Sequence, residues 1–325
     1  MNIFGFIAGP LGKFLYFIYN TFAFHNYGLA ILFFTLIIRL CLLPLTLKQY
    51  KSSAKMQAIQ PKLQEIQKRY KTDKEKLNQE MMRLYKENNV NPAGGCLPLL
   101  IQMPFLFSLY WDIIQPLTYQ LGKTAAQITA LVTRVASMEG TTVASFGYQK
   151  EIHVLEYFNN HKDKLSQVAD LLKPNELLNM NFLGLHLGVI PSISTDKLFG
   201  PQAGIYLPLL ILPILAVVTT YLSSKLSMPT PVQSKNPNDK PPAGSGMQNT
   251  MLFIGPMMTL IFSFSMPAGV ALYWIAGSVV QITQQRYINK NILKKGAKPK
   301  DDTKLEANPG GKKRQIGSGS NKSGT

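Results

Sequence analysis

The sequence predicts an all-α polytopic membrane protein with five transmembrane helices and a cytoplasmic helical hairpin, and three observations predict it. Four apolar runs, at about 27–47, 97–118, 204–224 and 249–266, match the roughly twenty residues that a spanning helix needs. A fifth, at 268–287, keeps that length although it holds Gly277, Ser278, Gln281 and Thr283. The second observation is where the net charge of +17 lies. Segment 48–96 carries eleven Lys and Arg against five acids, 225–247 three against one, and the tail from Arg286 eleven against three. The long segment 119–202 is balanced, seven against seven. Basic loops stay in the cytoplasm, so five spans fit with the N-terminus outside and the C-terminus inside. The third is helical periodicity in the charged stretch after the first run. The mean hydropathy of +0.03 averages these opposite populations and decides nothing.

Residues 1–26 precede the first span. They are apolar as far as Phe24, but Gly5, Gly9, Pro10, Gly12 and Lys13 interrupt the first half, so the helix is expected over 11–24. Tyr16, Tyr19 and several phenylalanines suit the headgroup zone, which predicts a helix in the outer interface; a sixth span is the alternative.

The first span, 27–47, holds Arg39, the only formal charge between Gly28 and Leu47. A charge near a span's centre costs about 2.5–3.5 kcal/mol on insertion scales, and such a residue faces protein or water. Snorkelling to Lys48 would bridge about 13 Å at the helical rise. A functional cavity or a structural pair remain the two readings. Thr35, four residues earlier, shares the face of Arg39.

In segment 48–96, Met56, Ile59, Leu63, Ile66 and Tyr70 step by three and four, and Leu77, Met81 and Leu84 resume the pattern after Lys71-Thr72-Asp73. This predicts a cytoplasmic hairpin, with a kink or restart at Pro61. The turn Asn91-Pro-Ala-Gly-Gly-Cys96 returns the chain to the bilayer. Span 97–118 carries Gln102 and, near its outer end, Asp112, which reaches Arg39 only if the two helices are steeply offset.

The extracytoplasmic segment 119–203 holds two amphipathic stretches, 124–138 and 150–172, and an apolar run, 181–190, too short to span and expected at the membrane surface. Span 204–224 is followed by a Pro- and Ser-rich linker, 225–248, then by spans 249–266 and 268–287. The tail 288–325 is Lys-, Gly- and Ser-rich and is expected to be disordered. Its charge suits anionic lipid or, alternatively, RNA phosphates.

A polar stripe runs along the fifth span: Trp274, Ser278 and Gln281 are spaced by four and three. Gln102, Thr219, Thr220 and Ser223 can join it. If these stripes converge on Arg39 they enclose a polar cavity open toward the basic side; the alternative is ordinary hydrogen bonding between helices. The sequence has no HExxH, GxSxG or P-loop and no intramembrane pair of carboxylates. His25, His153, His161 and His186 show no ligand spacing, and Cys41 and Cys96 imply no disulfide framework. No enzyme, metal or cofactor is expected.

Four runs in this order, FTLIIRLCLLPLTLKQYKSSAKMQAIQPKLQEIQKRYK, NPAGGCLPLLIQMPFLFSLYW, YLPLLILPILAVVTTYLSSKLS and MPAGVALYWIAGSVVQITQQRYI, resemble the YidC family of membrane protein insertases over about residues 25–118 and 180–290. The resemblance implies a five-helix core with a cytoplasmic hairpin in a bacterial plasma membrane. Its groove would open to the cytoplasm and lipid but not to the outside. It implies that Arg39 receives hydrophilic parts of nascent membrane proteins, with Thr35 and Trp274 also lining the groove. It links the hairpin and the basic tail to the ribosome, a targeting factor or the Sec translocon. The outer segment 119–180 is longer than the simplest members require. A small-solute transporter or channel using the same cavity is the rival reading, but no inverted repeat is evident. A scaffold for assembling other membrane proteins is a third.

Overall fold

The structure, a computed structural model, describes residues 3–91, 97–227, 245–288 and 290. Most of the turn 91–96, most of the linker 225–248 and nearly all of the tail 288–325 lie outside the described residues. The fold is predominantly helical. In chain order the helices are α1 (Ile3–Thr21), α2 (Tyr27–Cys41), α3 (Leu43–Arg69), α4 (Lys74–Glu87), α5 (Leu97–Ile114), α6 (Pro116–Tyr119), α7 (Ala125–Glu139) and α8 (Lys150–Asn160). A two-stranded antiparallel hairpin follows, β1 (Asn181–Phe182) and β2 (Leu185–His186), and then α9 (Thr195–Phe199), α10 (Ala203–Leu209), α11 (Ile211–Ser227), α12 (Ser245–Ser263) and α13 (Ala268–Ile288).

Helix α13 is the hub. It packs on α11, α2, α5 and α12, and α1 lies along α5 and α2. Small residues let the backbones approach: a Cβ on Gly269 would meet the Ile113 side chain at 2.8 Å. The first N–H groups of α13, which a helix start leaves without intrahelical partners, donate to carbonyls of the segment after β2. Ala268 donates to Val189 and Gly269 to Leu187, each at 2.8 Å.

Three local outcomes differ from the sequence reading. First, α1 begins at Ile3 and runs through Pro10 instead of starting near Leu11. Gly12 belongs to the packing: a Cβ there would come within 2.6 Å of Asp112 Oδ1 and 2.9 Å of the Tyr119 carbonyl. Tertiary contact with α5 overrides local propensity. Second, 27–47 is not one straight helix. It breaks at Leu42 and bends by 63° into α3. Pro44, near the start of α3, has no N–H for the preceding turn and disfavours helical backbone in Leu43. Third, the stretch 150–172 is interrupted at His161, after which residues 162–168 form a 3₁₀ turn; at Pro61, where a kink or a restart is expected, α3 continues without a restart. The run Asn159-Asn160-His161 consists of weak helix formers.

Among the described residues, Ala203–Ser227 is long and apolar enough to cross a bilayer alone, and the bent pair Tyr27–Cys41 and Leu43–Met56 qualifies together. Ile101–Ile114 and Leu252–Ser263 are shorter apolar helices. Exposed apolar side chains run down one face of α11 (Ile211, Ile214, Leu215, Val218, Leu222) and of α12 (Phe253, Ile254, Met257, Met258, Ile261). Their steps of three and four make continuous stripes.

Helices α3 and α4 fold against each other over a small core of Ile59, Leu63, Leu84 and Val90, and Asp73 caps α4 through the Lys76 N–H. The outer segment, by contrast, shares the bundle's core. Leu131, Val135, Phe158 and Leu172 belong to the same buried cluster as Phe34 and Leu109. Lys123 and Glu176 meet at 2.7 Å, mostly shielded, and the Tyr19 hydroxyl accepts from the Asn179 N–H at 3.1 Å.

Candidate functional site

Arg39 sits in the last turn of α2, one turn before the Leu42 break, where a cation also complements the helix dipole. Its side chain is half-buried between α5 and α13. Arg39 Nη2 donates to Gln102 Oε1 at 3.1 Å. On the other side it lies against Gly277, where a Cβ would stand 2.7 Å from Nη2. Among the described residues Arg39 forms no ion pair. Asp112 is nearly three turns from Gln102 toward the α6 end of α5 and lies against Gly12, so the steep offset needed for an Arg39–Asp112 pair does not occur.

The charge also acts electrostatically on the phenols of Tyr50 in α3 and Tyr273 in α13. Among the described residues the Tyr50 hydroxyl is buried without a hydrogen-bond partner, as are both amide atoms of Gln284 two turns beyond Gly277. Tyr50, at the start of the hairpin, is thus one polar group near Arg39 that lacks a partner among the described residues. Uncompensated groups of this kind are costly when dry, so the arrangement suits a polar guest or water.

The expected residues are placed unequally. Gln102 touches the guanidinium. Ser278 is buried beside Gly277, and Gln281 is half-buried one turn on. Thr35 is fully buried, but its hydroxyl donates to the Ile31 carbonyl at 2.6 Å within its own helix. Trp274 is half-buried and packs against Phe262 of α12, with ring centroids 6.2 Å apart. The Thr259 hydroxyl donates to that of Thr220 across α11 and α12 at 3.4 Å. Gly277, Tyr50 and Gln284 were not picked out as site residues in the sequence. The available signals were spacing: Gly277 lies three residues after Trp274 and Gln284 three after Gln281, and Tyr50 lies three turns from Arg39.

A helical bundle with apolar stripes outside and Arg39 half-buried between its helices defines a class, the helical membrane protein. The 60Kd inner membrane protein family matches residues 17–295, and the chain belongs to that family, whose members are bacterial inner membrane proteins. It is 35% identical to the membrane protein insertase YidC of Clostridium perfringens, over 86% of this chain and 85% of that one. It is 31% identical to the membrane protein insertase YidC of Histophilus somni, over 90% of this chain and 38% of that one. The YidC of Pasteurella multocida is similar at 32%, again over 38% of its length. The chain thus spans about two fifths of the length of these two longer relatives. These relatives lend no support to the transporter reading.

Proposed function

We propose that this protein is a membrane protein insertase that works without covalent chemistry. Hydrophilic parts of a nascent membrane protein enter a groove at Arg39, and its apolar segments pass to lipid. The observation that carries this reading is Arg39 itself: a permanent charge inside the bundle, held by an amide and a glycine and by no carboxylate among the described residues. Such a charge attracts acidic or polar groups of a passing chain and lowers the desolvation barrier that they meet in hydrocarbon. The apolar stripes on α11 and α12 offer a lipid-facing track beside it.

In this reading the five spans are α2 with the start of α3, α5, α10 with α11, α12, and α13. The groove is lined by Arg39, Gln102, Ser278, Gln281, Thr35 and Trp274 and opens to the cytoplasm. The N-terminus lies outside and the C-terminus inside. Residues 48–96 and 288–325 meet the ribosome, a targeting factor or the Sec translocon, and the tail also meets anionic lipid. The names of the relatives and the basic charge of those segments support these assignments. The test is photo-crosslinking from position 39 to stalled nascent chains in membranes. Adducts that appear with the polar, translocated part of the substrate are expected; a complete lack of adducts from position 39, with adducts from control positions on known neighbours, would overturn the reading.

A further inference from the structure

Two large apolar residues stand out by combining features that oppose each other. Leu183 is 85% exposed and has φ of +51°, and Phe24 is 84% exposed with φ of +52°. Left-handed backbone is unfavourable for a bulky side chain, and packing against the fold is the usual compensation. Here the fold gives almost none. Leu183 and Gly184, both at positive φ, form the two-residue turn between β1 and β2, a place where Asn or Asp before Gly is the favoured choice. Phe24 lies in the reversal between α1 and α2, beside the half-exposed Phe22.

The two turns lie at the same end of the bundle. Phe24 is two residues before Asn26, whose side chain caps α2. The Phe182 ring, next to Leu183, lies over Gly28 in the first turn of α2 so closely that a Cβ would overlap it. Both turns also belong to stretches without formal charge. No Asp, Glu, Lys or Arg occurs between Lys13 and Arg39, or between Glu176 and Asp196.

We infer that Leu183 and Phe24 form an apolar rim that inserts into the outer leaflet of the bilayer, the occupant being the lipid region just below the headgroups. The rim is continuous with α2 and with the apolar exterior of the bundle, and an interfacial bilayer environment supplies the apolar surroundings that the folded chain withholds from these side chains. The same hairpin leads directly to Leu187 and Val189, whose carbonyls hold the start of α13. Lipid at the rim therefore steadies the strap that closes the outer end of the two helices flanking the Arg39 site.

This inference rests on the membrane reading of the bundle, and the test separates the two. In full-length protein carrying Cys41→Ser and Cys96→Ser, single cysteines are introduced as Leu183→Cys, Phe24→Cys, Val218→Cys on the exterior of α11, and Ser166→Cys in the charged part of the outer segment. Each is labelled with an environment-sensitive fluorophore and reconstituted in phosphatidylcholine–phosphatidylglycerol vesicles. Lipids brominated near the headgroup should extinguish the labels at 183 and 24, lipids brominated near the chain end the label at 218, and aqueous iodide the label at 166. Iodide quenching at 183 and 24 while 218 responds to lipid would overturn the rim alone; a label at 218 that responds only to iodide would overturn the membrane reading too. Labels at 183 and 24 shielded from both quenchers would mean a protein occupant, a second copy or another chain, and would equally overturn the lipid assignment. Two independent rim positions guard against one variant failing to fold.

Discussion

Arg39 can be reached by substitution from two sides. Replacing Arg39 by Ala removes the only formal charge between Gly28 and Leu47, so insertion of substrates with acidic translocated tails should fall markedly, whereas Arg39→Lys keeps a positive charge and should largely preserve it. Reconstituted insertion of such a substrate measures both, and equal activity of the Ala variant and the parent would remove Arg39 from the mechanism. Gly277 offers the second approach. In Gly277→Ala the new methyl would lie 2.7 Å from Nη2 if nothing moved. The guanidinium is the flexible end of a long side chain, so the fold should hold while the charge shifts. Gly277→Leu should occlude the site. A graded loss of insertion, Ala milder than Leu, with thermal stability changing by less than about 1 kcal/mol for Ala, is the expected result. Arg39 was legible because a charge in an apolar run is conspicuous at any alignment of helices. Gly277 was not, because its importance lies in what it lacks, and only the packing of α2 on α13 shows which glycine faces the guanidinium.

The β1–β2 hairpin carries a titratable group in His186. Burial holds its imidazole below the ordinary histidine range, and nearby Glu156, 3.9 Å away, opposes this only in part. A depressed folded value means that the unfolded hairpin binds more protons, so the stability from neutral His186 is present above about 6.5 and is lost as pH falls below it. Hydrogen exchange of residues 181–189 in the reconstituted protein should therefore quicken on acidification through that window. His186→Gln should flatten the dependence; an unchanged profile in that variant would assign the effect elsewhere. The existence of most helices was readable from apolar length and periodicity, α4 from the spacing of Leu77, Met81 and Leu84. Their ends were less so. Pro44 broke a span that composition alone made continuous, while Pro61 and Pro10 did not end their helices, because the cost of a proline depends on what its missing N–H and ring meet in the packed structure. The turn at Leu183 was hidden because its residue contradicts turn preference.

For the whole molecule, charge distribution is the organising quantity. The tail from Arg286 carries eleven basic residues against three acids, so sequence-independent attraction to anionic lipid or to RNA should depend steeply on salt. Deleting 291–325 should reduce binding of ribosomes to proteoliposomes at low salt and leave crosslinking from position 39 to preloaded substrate intact. Unchanged ribosome binding would remove the tail as a ribosome contact and leave 48–96 as the remaining candidate. The number of apolar runs, the places of the basic segments and the anomaly of Arg39 follow from composition along the chain, because transfer of apolar and charged groups into lipid is a local property of each segment. Which polar groups meet Arg39, that Asp112 is turned away beneath α1, and that a strap from the outer segment holds the start of α13 depend on how helices distant in sequence are juxtaposed. Those contacts arise from close packing at small residues such as Gly12, Gly28, Gly269 and Gly277, whose partners no local pattern specifies.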